Sequence, residues 1–152
     1  MLEYLRLSRG GFFGPNIKDL IRLRNGHLEV NRYYTRTRFC DECIRFHEEL
    51  SRARSKRWLQ KLEQIHFEEW DDEYWAYVCD GEQWSLVYQY SGEDKRCIGG
   101  SNAYPENWSE FIDLVDKLMN KLPRSEGDIM AFLNTISNEE KGLEQSAHRR
   151  TE

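Results

Sequence analysis

The chain has 152 residues, a net charge of −5 and a hydrophobic fraction of 39%, which suits one domain burying about two-thirds of its unfolded surface. Seven Phe, five Trp and eight Tyr supply the apolar area that a disordered polyelectrolyte lacks. No apolar run approaches the roughly 18 residues of a membrane span, and the first residues alternate in polarity instead of forming a signal-peptide core, so a cytoplasmic location with reduced cysteines is expected.

The alternating start, Leu2-Glu3-Tyr4-Leu5-Arg6-Leu7, predicts a first strand. A turn follows at Gly10-Gly11-Phe12-Phe13-Gly14-Pro15, carrying two semi-exposed phenylalanines, Phe12 and Phe13, as part of a contact surface. Asn25-Gly26 is a type I′ turn dipeptide, because both central residues need positive φ. Its two-residue loop pairs Leu23 with Leu28, Arg22 with Glu29 and Ile21 with Val30.

Residues 41–66 lack Gly and Pro, and Cys43, Phe46, Leu50, Ala53, Trp58, Leu62 and Ile65 recur at spacings of three to five, predicting one long helix. Asp80-Gly81 predicts a second tight hairpin pairing Cys79 with Glu82, Tyr77 with Trp84 and Trp75 with Leu86. Its core face is then Trp75, Tyr77, Cys79, Trp84, Leu86 and Tyr88. A loop at 91–94 returns a third strand with Cys97 opposite Tyr88. Asn107 with Glu110 resembles a capping box, and Trp108, Phe111, Ile112, Val115, Leu118, Met119 and Leu122 predict a helix over 107–122, ended by Pro123. The expectation is an α+β fold over 1–123: one antiparallel sheet of five or six strands, packed by the long helix and the later one. Residues 124–152 read as a polar C-terminal extension with a short helix near 128–136.

The segment Asp80-Gly81-x-x-Trp84-x-Leu86, followed by Gly100-x-Asn102-Ala103-Tyr104-Pro105-x-Asn107-Trp108-x-x-Phe111, resembles a pattern of small uncharacterised bacterial proteins, a domain-of-unknown-function group. The match covers roughly a quarter of the chain. The resemblance implies a bacterial or mobile-element origin and a strand–turn–helix arrangement. It implies no catalytic residue, ligand or cofactor. Turn chemistry at Gly99, Gly100, Asn102 and Pro105 is one account of the pattern. The other is an anion held by Asn102, Tyr104 and amides at the helix start, with Glu106 and Glu110 opposing it.

Cys40-Asp41-Glu42-Cys43 invites a redox or zinc reading. The two carboxylates disfavour a thiolate, and on a continuous helix His66 lies nearly 30 Å from His47. Buried structural thiols, no metal and no cofactor are therefore expected. No serine sits in a nucleophile elbow, and the acidic run Glu68, Glu69, Asp71, Asp72 and Glu73 lacks the spacing of a calcium loop.

The charge is unevenly distributed. Residues 1–66 hold 14 Lys+Arg against 8 Asp+Glu, and residues 67–152 hold 8 against 19. Arg45, Arg52 and Lys56 fall near one side of the expected helix, with Arg22 and Arg24 in the same half. Three functions fit this map. The first is a non-catalytic module steered electrostatically to a partner protein. The second is a nucleic-acid-binding or processing protein using the basic 45–61 face. The third is an acidic mimic of a phosphate backbone.

Overall fold

The computed structural model describes residues 1–11, 14–35, 44–77 and 81–119, with the backbone alone for 44–46. The strands are β1 (Leu2–Gly11), β2 (Asn16–Arg24), β3 (His27–Thr35), β4 (Ile44–Glu49), β5 (Glu73–Trp75), β6 (Glu82–Tyr90) and β7 (Arg96–Ser101). The helices are α1 (Arg52–Glu63) and α2 (Trp108–Leu118), with a 3-10 turn at Phe67–Glu69. Among the described residues the strands form one seven-stranded sheet in the order β4-β3-β2-β1-β6-β7-β5. An α+β fold is thus present, with more strands than expected. Phe12 and Phe13, the Cys40–Cys43 motif, Cys79, Leu122 and the extension at 124–152 lie outside the described residues.

The Asn25-Gly26 turn forms as read, with φ of 53° and 78°, and pairs Leu23 with Leu28, Arg22 with Glu29 and Ile21 with Val30. The expected long helix is corrected. Residues 44–49 form β4, paired antiparallel with β3. The break falls at Leu50-Ser51: the Leu50 amide donates to Leu28 O at 2.9 Å, and Ser51 Oγ accepts from the Arg54 amide at 3.2 Å, capping α1. Over 44–49 the helical repeat loses to the ladder that β3 offers.

The Asp80-Gly81 hairpin is corrected as well. β1 enters between β2 and β6, so β6 already has a neighbour on each side, β1 and β7. Residues 73–75 pair instead with the outer edge of β7, and in parallel: Glu73 with Gly99, Tyr74 with Gly100, Trp75 with Ser101. Trp75 and Tyr77 are then 76% and 93% exposed, not core. The β6–β7 register is one residue from that expected, Val87 opposite Cys97 and Tyr88 opposite Arg96. A one-residue slip exchanges faces, so Cys97 is an exposed thiol.

Leu5, Leu7, Ile21, Leu28, Val30, Trp84, Leu86, Tyr88 and Ile98 share a buried cluster with Leu59 and Leu62 of α1 and Phe111, Val115 and Leu118 of α2. We call that sheet face inner and the opposite face outer. Each fully buried large side chain contributes about 1.5–3 kcal/mol. No helix among the described residues is long and apolar enough to cross a membrane.

Candidate functional site

The basic residues singled out from sequence are dispersed. Arg45 lies on β4, opposite Tyr33, whereas Arg52 and Lys56 lie on α1, where they are exposed. The three do not share a helix face. Arg22 and Arg24 alternate with core residues on β2 and so belong to the outer sheet face. Tyr4 is flanked there by the guanidinium carbon of Arg22, 5.8 Å from the ring centre, and Lys95 Nζ, 4.1 Å from it. Arg24 pairs with Glu29 at 3.6 Å, and Arg6 is exposed on the same face.

The pattern at 80–111 forms one interlocked unit. A β-carbon on Gly100 would fall inside the Trp84 indole, and one on Gly81 inside the Asn102 carboxamide. Asn102 takes the left-handed conformation, φ 56°. Trp84 Nε1 donates to Ala103 O at 2.9 Å. Tyr104 stacks on Trp84, with ring centres 6.3 Å apart and planes 14° apart, and donates its hydroxyl to Glu82 Oε1 at 3.3 Å. Burial, then the Glu82 charge, raise the Tyr104 pKa. Asn107 stands at the N-cap position of α2 without a side-chain cap bond. Its Oδ1 accepts from Trp70 Nε1 at 2.8 Å, and its Nδ2 donates to Ile65 O at 2.8 Å. The expected capping role is therefore replaced by a tie between α2 and the segment before β5.

That segment is fixed from a second direction. Arg96 donates to Phe67 O at 3.0 Å, to the Tyr88 hydroxyl at 3.1 Å and to Trp70 O, and it pairs with Asp72 at 2.9 Å. These bonds hold β5 at the sheet margin. Beside it lies a hollow of about 380 Å³ lined by Glu73, Tyr74, Trp75, Gln83, Trp84 and the backbone of 99–101. Gly99 and Gly100 place no side chain in it. Trp75 and Tyr77 project at this margin, next to exposed Asp71, Asp72 and Glu73.

A buried charge cluster on the inner face was not anticipated. Arg32 Nε donates to Asp19 Oδ1 at 2.6 Å and Nη2 to Oδ2 at 3.0 Å, with both side chains fully buried. Asp116 of α2 accepts from Arg9 at 2.9 Å and Arg32 at 3.0 Å. Among the described residues two guanidiniums meet two carboxylates here, and Arg9 Nε and Arg32 Nη1 are buried with no hydrogen-bond partner among those residues. The signal was available: the Asn25-Gly26 register places Asp19 opposite Arg32, both among inward-facing apolar positions. The Asp116 pairing anchors α2 to the sheet.

The described histidines, His27, His47 and His66, are apart. His47 is on β4, not a helix, and Nδ1 meets Asn31 Oδ1 at 2.8 Å. His66 is left-handed, φ 60°, and meets Glu68 at 2.9 Å. His27 Nδ1 meets Leu50 O at 2.9 Å. Among the described residues no three His, Cys, Asp or Glu side chains converge as for a metal ion. No protein-family model matches the chain, and no curated protein matches its sequence.

Proposed function

We propose that this is a non-catalytic binding module that engages a partner protein through the β5 margin. One observation carries the reading: Trp75, 76% exposed, stands over a hollow beside the edge strand. Tryptophan and tyrosine are among the residues most enriched in binding hot spots, and here two of them stand adjacent and exposed, the kind of apolar patch that marks interaction surfaces. The acidic side chains Asp71, Asp72 and Glu73 would steer a partner of positive charge and repel nucleic acid. A bacterial or mobile-element origin and a cytoplasmic setting belong to the same proposal. Immobilised protein and its Trp75→Ala, Tyr77→Ala variant are to be compared in nuclease-treated extract of the source cells. The reading requires a captured protein that the aromatic variant loses; equal capture by both forms contradicts it.

A second reading rests on the outer face, where Arg22 and Lys95 flank Tyr4 and exposed Arg6 lies two residues further along β1. Cations beside an aromatic ring on a sheet suit single-stranded nucleic acid. It replaces the helix stripe as the basis for nucleic-acid contact. Titration with single-stranded DNA, duplex DNA and RNA at low and physiological salt, repeated on Arg6→Glu, Lys95→Glu, separates the two. Binding that survives physiological salt and collapses in the charge-reversed variant would favour the outer face.

A further inference from the structure

We propose that the contact at β5 is strand addition: an extended segment of the partner, carrying cationic side chains, pairs with the edge of β5 that meets no other strand among the described residues. This rests on the reading that the β5 margin is the contact surface. In the parallel β5–β7 ladder, Asp72 O accepts from the Gly99 amide at 3.1 Å, and the Ala76 amide donates to Ser101 O at 2.9 Å. Together with the pairing of Tyr74 and Gly100, this turns the backbone of 72, 74 and 76 toward β7. Parallel pairing uses alternate residues, so the N–H and C=O groups of Glu73 and Trp75 point away from the sheet. β5 is the terminal strand in the sheet order. Sheet edges are normally protected by lysine, proline, a bulge or a covering element. The sequence 73–77, Glu-Tyr-Trp-Ala-Tyr, has no lysine or proline and offers two exposed aromatics instead. An added strand gains affinity from main-chain bonds, and alternate side chains gain specificity from pockets. The Trp75 hollow is the pocket, and Asp71, Asp72 and Glu73 supply the complementary charge.

The probe is a library of random linear peptides displayed on phage and selected on the intact chain. Enriched peptides, resynthesised, are expected to alternate in polarity and carry Lys or Arg. At saturation they should slow hydrogen exchange at the Glu73 and Trp75 amides while leaving the amides of β1 and β2 unchanged. N-methylation of alternate peptide amides should weaken binding on the order of tenfold in one phase of the alternation and leave it intact in the other. Glu73→Pro, which deletes an outward donor without touching the β7 ladder, should weaken binding similarly at an unchanged unfolding midpoint. Peptides that depend on Trp75 yet ignore N-methylation leave the contact surface standing and overturn strand addition. Absence of any Trp75-dependent peptide overturns both. Self-association of the chain that Glu73→Pro abolishes would make a second copy the occupant and would also overturn the proposal.

Discussion

The Trp84 indole occupies the space that a β-carbon on Gly100 would need, and its Nε1–H is held by Ala103 O at 2.9 Å. Displacing it would disturb the stack with Tyr104 and the hollow beside Trp75 together. Gly100→Ala is expected to cost about 1–3 kcal/mol through overpacking, read from urea unfolding. At Gly99 an added β-carbon would meet nothing nearer than Trp84 O at 4.0 Å. Gly99→Ala should therefore stay within about 0.5 kcal/mol of the parent.

Asn107 ties α2 to the segment preceding β5 through two side-chain bonds of 2.8 Å each. Removing them leaves the N–H of buried Trp70 and the carbonyl of buried Ile65 unpaired. Asn107→Ala is expected to destabilise by about 1–3 kcal/mol, whereas Asn107→Asp keeps the acceptor for Trp70 and should lose less. Chemical denaturation of both variants measures the difference.

Sequence resolved this fold where local chemistry decides the outcome. The Asn25-Gly26 turn set its hairpin register, and the stripe Phe111, Val115 and Leu118 set the buried side of α2. It failed where a distant strand intervenes. Nothing local to residues 74–90 reveals that β1 takes the place beside β6, sending β5 to the far edge and Trp75 to the surface. The helix read across residue 50 failed similarly, because an edge of β3 recruits 44–49 and the Ser51 cap marks the true start. The hollow is legible only in part: Gly99 and Gly100 read as turn residues in the sequence but lie inside β7, and the space beside Gly99 becomes a hollow only once β5 lies next to it.

Asp19 and Arg32 form a fully buried pair. Removing either partner leaves a desolvated charge, so Asp19→Asn and Arg32→Met should each cost about 3–5 kcal/mol. The double variant Asp19→Leu, Arg32→Met is expected to lose less than the sum of the singles. A thermodynamic cycle from guanidinium unfolding tests this non-additivity.

Burial alone would raise the Asp116 carboxyl, but Arg9 and Arg32 outweigh it and hold the group below its ordinary value of 3.8. A depressed carboxylate adds stability that is complete above its unfolded value and disappears as pH falls through its folded one. The stability of the parent chain should therefore drop below about pH 4 more steeply than that of Asp116→Asn. The variant should already be the weaker of the two at neutral pH. Unfolding midpoints measured from pH 7 down to about pH 2 check the sign.

Photocrosslinking tests the contact surface most directly. A benzoylphenylalanine placed at position 77, at the β5 margin, is compared with one at position 6, on the basic outer face, in extract of the source cells. The account predicts a discrete, nuclease-resistant protein adduct from position 77 that Trp75→Ala diminishes, and none from position 6. Adducts arising only from position 6, or removed by nuclease, would contradict it.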